Sequence, residues 1–287
     1  DGFIAHPITG EIQAVYVTAA RTELVPFGED GKRLCAELDR VKEQIGRNLD
    51  VHLTSRSLKD DTWIITATSD TAAATYYLHI PYTDRPPSLL MEARPQLSSL
   101  WRSLAMTEAI NVPARDGESL PAYLTRPKGA SSASTNLPLA MVLHGGPNAR
   151  DYAGFDALTQ LLASRGIAVL SLNYRGSTGY GRRFYSLGMG DVKGMHEDVE
   201  DARRWAIESG LADPQKVAIV GGSWGGYLAL GGATGIGSSM HEGDDSIDAS
   251  GSSPRYAAVV AIVPLVTVGC ANTSPAFRND PLVKQYW

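Results

Sequence analysis

The hydrophobic positions follow two different patterns, which meet near residue 106. From residue 107 onward, nearly continuous apolar runs alternate with stretches in which apolar residues recur at helical spacing. Continuous apolar runs are typical of strands covered on both faces, and strands that alternate with helices form a mostly parallel sheet. The runs are 139–144, 167–173, 216–220 and 257–263, and the helical stretches are 155–166 and 196–210. This part predicts an α/β domain, preceded by a hairpin over 110–127.

The first 105 residues instead predict antiparallel β-structure. Their strand candidates are short, rich in β-branched and aromatic residues, and bounded by Gly, Asp, Asn or Pro. These candidates are 12–20, 50–57, 63–70 and 75–80. A helix over 32–46 interrupts them, since its apolar residues recur at helical spacing and Gly46 follows as a stop. Four-stranded units that recur every ~40–50 residues are the pattern of β-propeller blades, so this part has room for about two blades.

Composition removes several classes of function. The 287 residues carry a formal net charge of −5 and no run rich in Lys or Arg, which argues against nucleic acid or an anionic membrane as the main partner. Apolar runs such as 257–263 are too short to span a bilayer. The chain starts at Asp1 rather than at Met. The sequence therefore leaves open the true N-terminus, any signal peptide, the oligomeric state and the localisation, for which the cytoplasm is the default.

The sequence also predicts no metal and no cofactor. Cys35 and Cys270 are too few for a disulfide framework or a metal site, and no HExxH, CxxC or P-loop pattern is present. The acidic cluster Asp244, Asp245 and Asp248 lacks the spacing of a calcium loop, so we interpret it as a solvated loop.

The segment Gly-Gly-Ser-Trp-Gly-Gly-Tyr over 221–227 indicates a nucleophilic serine. A predicted strand leads directly into it and a predicted helix continues from it, as in the turn that exposes a catalytic serine at the end of a strand. Gly221 and Gly225 leave room for a strained serine backbone and close packing of the helix on the strand. We expect Ser223 to be the nucleophile; the alternative is a Gly- and Ser-rich turn without chemistry.

A second loop, 143–151, contains His-Gly-Gly after an earlier strand, the kind of loop that supplies an oxyanion-hole amide in such hydrolases. We expect the two oxyanion donors to be the N–H of Gly146 and the N–H of Trp224. The alternative is a glycine pair that only forms a turn. His144 lies on the strand before this loop, so we interpret it as organising the loop rather than as the general base.

Taken together, these motifs resemble the prolyl oligopeptidase family of serine peptidases, nearest its acylaminoacyl-peptidase-like branch. The resemblance is dense over 107–231 and looser over 60–105. It implies an α/β-hydrolase domain, here 106–287, and a β-propeller, here the partial 1–105, that admits only short peptides. It also implies Ser223 as nucleophile and an oxyanion hole at Gly146 and Trp224. Tyr174 and Arg175 follow the second long core strand and either line the site or hold the sheet's edge.

The sequence departs from the family pattern after the serine. The chain order of such triads is Ser, then Asp or Glu, then His. The only later histidine is His241, in a Gly-, Ser- and Asp-rich stretch, and Asp280 is followed by no histidine. We therefore expect the triad Asp and His beyond residue 287, a fragment truncated at both ends, and little peptidase activity from these residues alone. An esterase-type hydrolase and a non-catalytic relative remain alternatives, and the peptide specificity stays open.

Overall fold

The computed structural model describes residues 2–46, 49–235 and 255–264, and these divide into two compact units. Unit 1 comprises Asp1–Met106 with Ala153–Gln160, and unit 2 comprises Thr107–Tyr152 with Leu161–Trp287. His241, the acidic cluster at 244–248, Cys270 and Asp280 lie outside the described residues.

Unit 1 contains two antiparallel sheets and one long helix. The first sheet has three strands in chain order, β1 (Gly2–Ala5), β2 (Ile12–Thr18) and β3 (Thr22–Pro26). Helix α1 (Gly28–Ile45) follows, starting four residues before the predicted helix. The second sheet has four strands in chain order, β4 (Asp50–Arg56), β5 (Trp63–Ser69), β6 (Ala72–His79) and β7 (Ser88–Glu92). Two short 3-10 helices, Pro95–Ser99 and Trp101–Ser103, end this stretch.

The core of unit 1 lies against α1. The helix buries Leu34, Leu38 and Val41 at helical spacing, in one cluster with Trp63 and Ile65 of β5. Buried and half-buried residues alternate along β5, as expected for a strand with one face on a core. A four-stranded antiparallel sheet of this kind is the repeating element of a β-propeller.

Unit 2 is built on one six-stranded sheet. Its strands are β8 (Thr107–Pro113), β9 (Ser119–Thr125), β10 (Leu137–Leu143), β11 (Ala168–Leu172), β12 (Ala212–Gly222) and β13 (Ala258–Ile262). Their order is β13-β12-β10-β11-β9-β8. The pairs from β11 to β13 are parallel, and β8 and β9 form the antiparallel hairpin predicted around Gly117. The α/β prediction for this part of the chain is confirmed.

The helices that connect these strands are α2 (Ala157–Ala163), α3 (Gly181–Leu187), α4 (Val192–Glu208) and α5 (Trp224–Thr234). Residues of α2 belong to both units. From β10 the chain continues to β11 on one side, and it then returns to β12 on the other side of β10. The carboxyl ends of β10 and β12 are therefore neighbours where the strand order reverses, the position at which open α/β sheets bind ligands.

Burial of the strands follows the apolar runs, with one exception. Leu139, Met141 and Leu143 of β10 are buried, as are the apolar residues of β11 and Val217, Ile219 and Val220 of β12. In contrast, Val260 and Ile262 of β13 are 46% and 52% exposed, although the run 257–263 predicts a covered strand. Among the described strands, β13 pairs with β12 alone and forms the edge of the sheet.

Candidate active site

Ser223 occupies a strained turn between β12 and α5. β12 ends at Gly222, α5 begins at Trp224, and Ser223 between them has φ 54° and ψ −116°. A positive φ is uncommon for a residue with a side chain, and such strain occurs mostly where function requires it. The Ser223 N–H donates to the Ile262 carbonyl oxygen at 2.8 Å, and the Tyr227 N–H donates to the Ser223 carbonyl oxygen at 3.1 Å. Ser223 is exposed despite these restraints.

The glycines around Ser223 are required by close backbone contacts. A Cβ on Gly221 would lie 2.1 Å from the Gly225 carbonyl oxygen, and a Cβ on Gly225 would lie 2.1 Å from the Leu143 carbonyl oxygen. No side chain tolerates such an approach to backbone oxygen, so the turn closes only with glycine at both positions. The first of these contacts packs α5 onto its own strand, and the second packs it onto the end of β10.

The His-Gly-Gly loop lies directly against this turn. Leu143, the last residue of β10, is in register with Gly221 of β12. A Cβ on Gly145 would lie 3.1 Å from the Gly222 carbonyl oxygen and 3.3 Å from the Ser223 Cβ. Gly146 has φ 129°, and a Cβ there would lie 2.7 Å from the Asn148 nitrogen. The structure thus brings the predicted oxyanion loop and the predicted nucleophile together.

His144 holds this loop through both ring nitrogens. Nδ1 lies 2.8 Å from the Gly145 carbonyl oxygen, which only accepts, so Nδ1–H is the donor. Nε2 of the neutral ring then accepts, so it shares the single hydroxyl proton of Ser177, whose Oγ lies 2.9 Å from Nε2 and 2.6 Å from the Tyr174 carbonyl oxygen. Burial lowers the pKa of His144 to about 4, so the imidazole is neutral at pH 7. These contacts are the loop-organising role that the sequence predicts.

Tyr174 supports the same histidine. Its ring stacks on the His144 ring with the centroids 4.4 Å apart and 16° between the planes, and its hydroxyl donates to the His144 carbonyl oxygen at 2.8 Å. The side chain is fully buried. Ser177, which completes this arrangement, escaped the sequence analysis because one serine in a glycine-rich loop carries no distinctive spacing.

The Arg175 side chain forms hydrogen bonds with three carboxylates. Its guanidinium donates to the buried carboxylate of Asp198 at 2.6 to 3.0 Å, and its backbone N–H donates to the same group at 2.7 Å. Nη2 also donates to Asp116 at 2.9 Å, and Nη1 donates to Asp191 at 3.4 Å. Hydrogen bonding to Asp198 raises the pKa of Arg175. Tyr174 is fully buried and Arg175 is only 7% exposed. Both side chains therefore pack inside the protein and offer a substrate little surface.

The described part of unit 2 contains two histidines, His144 and His196, and neither forms a hydrogen bond with the Ser223 hydroxyl. His144 is occupied by the contacts above, and His196 is buried between α4 and α5. Neither histidine in the described part of unit 2 is therefore paired with the predicted nucleophile.

None of the described helices combines the length and apolar character that crossing a membrane requires. Within 2–46, 49–235 and 255–264, no three His, Cys, Asp or Glu side chains cluster as metal ligands.

Known proteins resemble this chain over the part that contains Ser223. The prolyl oligopeptidase family matches residues 153–235. Dipeptidyl aminopeptidase BIII of Pseudoxanthomonas mexicana is 39% identical over 242 residues, which cover 81% of this chain and 34% of the relative. An acylamino-acid-releasing enzyme of Arabidopsis thaliana is 43% identical over 94 residues, 32% of this chain and 12% of the relative. The chain thus spans about a third or less of the length of these relatives.

Solved structures agree in fold. A puromycin-hydrolyzing peptidase of Mycobacterium tuberculosis superposes with a TM-score of 0.52 and 28% identity, over 61% of this chain and 27% of that one. Structural neighbours of this kind combine an α/β-hydrolase with a β-propeller, which confirms the predicted fold class.

Proposed function

Because this chain carries a prolyl oligopeptidase family domain, we propose that it acts as a serine peptidase that hydrolyses short peptides through an acyl-enzyme on Ser223. One observation carries the proposal. Ser223 is exposed on a strained turn at the end of β12, and the His-Gly-Gly loop passes so close that a Cβ on Gly145 would lie 3.3 Å from the Ser223 Cβ. An exposed serine beside glycine-rich backbone is the arrangement that acyl transfer requires.

In the first step, the Ser223 Oγ forms a bond to the carbonyl carbon of the scissile peptide, and an electron pair moves onto the carbonyl oxygen. The hydroxyl proton passes to a general base, which gives it to the leaving amine as the C–N bond breaks. Water then attacks the acyl-enzyme in the same way, which releases the carboxylic acid and returns the proton to Ser223.

We assign the oxyanion hole to the N–H groups of Gly146 and Trp224. Gly146 follows the residue that packs against Ser223, and Trp224 is the first residue of α5, where helical N–H groups point toward the helix N-terminus. Each donor aimed at the developing negative charge contributes about 2.7–4 kcal/mol of transition-state stabilisation.

We propose a different role for each of the two parts of the chain. Residues 1–105 form part of a β-propeller that limits access to short peptides, and residues 106–287 form the N-terminal part of the catalytic domain. We propose that the triad Asp and His are not among the described residues, and that the described residues alone have little or no activity. The support is that neither histidine in the described part of unit 2 forms a hydrogen bond with Ser223.

Labelling with a fluorophosphonate tests the nucleophile. We expect covalent labelling of the full-length protein that Ser223→Ala abolishes, while the matched variant Ser209→Ala, at the end of α4, labels like the wild type. Labelling that persists in Ser223→Ala would overturn the assignment, and no labelling of the wild type would favour a non-catalytic relative.

Substrate assays test the reaction. We expect cleavage of short peptides, and comparison of N-blocked peptides with peptides that have a free N-terminus separates acylaminoacyl from dipeptidyl cleavage. Turnover of p-nitrophenyl esters with no cleavage of any peptide would instead support an esterase.

A further inference from the structure

Helix α5 is fixed on one side by the sheet and on the other by α4. The glycine contacts described above pack its first turn on β10 and β12. On the α4 side, the closest contact is between Gly231 and His196. A Cβ on Gly231 would lie 2.0 Å from Cε1, 2.6 Å from Nδ1 and 2.9 Å from Nε2 of His196. All three distances are shorter than any van der Waals contact, so the imidazole fills the space that a side chain at 231 would need.

The His196 ring is also connected to Ser223 through the contacts of Tyr227. Its ring meets the Tyr227 ring edge-on, with the centroids 5.2 Å apart at 64°, and the Tyr227 ring lies 5.4 Å from the Trp224 ring. The Tyr227 N–H also donates to the Ser223 carbonyl oxygen at 3.1 Å. Contacts thus run from His196 through Tyr227 to both Ser223 and Trp224.

Shape, rather than hydrogen bonding, explains what His196 contributes. The side chain is 2% exposed, and neither ring nitrogen has a hydrogen-bond partner in the described part of the chain. Burial lowers its pKa to about 4, so the ring is uncharged at pH 7. The flat, neutral ring therefore fits between the two helices because residue 231 has no side chain.

We propose that His196 and Gly231 form a lock between α4 and α5, and that His196 is a positioning residue for Ser223 and for the N–H of Trp224. This inference rests on the proposed function, because it concerns the geometry of that same site. Catalytic groups must be held within a fraction of an ångström of the productive arrangement. A helix that shifts when the lock is broken moves the nucleophile and one oxyanion donor together.

Three variants of the full-length protein test the lock. His196→Ala removes the ring, and Gly231→Ala drives a methyl group into it. We expect each to lower kcat for a peptide substrate at least about tenfold with KM nearly unchanged, since displacement of one oxyanion donor is worth up to about 10²–10³ in kcat. In the double variant the methyl group occupies the space that the ring vacates, so we expect kcat to recover to within about threefold of the wild type.

Val169→Ala is the matched control. Val169 is fully buried in β11, which pairs with β9 and β10 rather than with β12, so this variant loses core packing away from α5. Each variant is assayed at a temperature at which its thermal unfolding curve shows it folded. We expect Val169→Ala to lower the Tm with kcat unchanged, whereas the lock variants lower kcat even where they are folded.

The rate constant for fluorophosphonate labelling of Ser223 provides a second measurement, and it is obtained from whichever lock variants fold. Slower labelling of folded His196→Ala, restored in the double variant, supports the lock. Labelling of folded His196→Ala at the wild-type rate, or a double variant no better than either single one, overturns it. A wild-type protein that does not label at Ser223 at all refutes the proposed function instead, so the two failures are distinguishable.

Discussion

The hydrogen bond from His144 to Gly145 acts on a single peptide group, and its removal has a definite expected consequence. The Gly145 carbonyl and the Gly146 N–H belong to one planar peptide unit, so a partner that fixes the oxygen also fixes the direction of the N–H. His144 Nδ1 holds that oxygen at 2.8 Å. His144→Ala removes this donor together with the link to Ser177 and the stacking on Tyr174. The loop then loses the contacts that orient its proposed oxyanion donor.

The size of the effect follows from what one oxyanion donor is worth. Loss of such a donor costs about 10²–10³ in kcat, or about 2.7–4 kcal/mol of transition-state stabilisation. We expect His144→Ala in the full-length protein to approach this loss, with a much smaller change in KM, because the donor acts mainly on charge that develops in the transition state. The measurement is kcat and KM with a short peptide, and urea denaturation verifies that the variant is folded.

Tyr174→Phe is the graded companion to this variant. It keeps the ring that stacks on His144 and removes only the hydroxyl that donates to the His144 carbonyl oxygen at 2.8 Å. The net value of one hydrogen bond is about 0.5–1.5 kcal/mol. If this full value is lost from transition-state stabilisation, we expect kcat to fall about two- to tenfold. If folded His144→Ala retains kcat within about threefold of the wild type, then either the Gly146 N–H is not an oxyanion donor or His144 does not hold it.

The buried ion pair, the serine turn and the buried histidine each lead to a further expected outcome. Arg175→Ala leaves Asp198 as a buried carboxylate without its main partner, so the free energy of unfolding falls by about 3–5 kcal/mol. Arg183→Ala removes an exposed ion pair that solvent screens, so it lowers stability far less in the same urea titration, and equal losses would contradict the distinction. Gly225→Ala forces a methyl group to within 2.1 Å of a β10 carbonyl oxygen, so fluorophosphonate labelling of the nucleophile is lost, and labelling at the wild-type rate would show that the turn adapts. The pKa of His196 is lowered from 6.5 to about 4, so the unfolded state binds more protons in that interval and the stability present above about pH 6.5 is lost as the pH falls toward 4. Between about pH 7.5 and pH 5 the wild type loses about 2 kcal/mol more than His196→Asn, and parallel losses would refute the assignment.

How far the fold follows from the sequence depends on how each strand is covered. Strands β10, β11 and β12 have neighbours on both sides and core on both faces, so their apolar runs are continuous and visible in the sequence. β3 and β7 have five residues each and are mostly exposed, and the three consecutive apolar residues of β7 are too short a run to predict a strand. The first turn of α1 escaped for the same reason, because its exposed acidic residues have no apolar periodicity.

The site divides in a similar way between what spacing reveals and what it does not. Gly145, Gly221 and Gly225 lie where two stretches of backbone approach closely, and such approaches demand glycine at fixed positions relative to the serine. This steric requirement explains why the two glycine motifs, in 143–151 and 221–227, are visible in the sequence. Ser177 and His196 act through side-chain contacts between segments distant in sequence, and no local pattern fixes the residue type there.

The same contrast explains why the serine turn depends on residues far from its motif. The glycines make the close approach sterically possible, but they contribute no side chain that holds the approaching segments in place, and glycine loses the most conformational freedom on folding. The restraint therefore comes from bulky neighbours. His144 and, after β11, Tyr174 hold the oxyanion loop, and His196 packs on the α4 side of α5. The position of the serine turn therefore depends on the side chains that pack around it. Variants at these three positions should therefore change the rate at which Ser223 reacts more than they change the affinity for substrate.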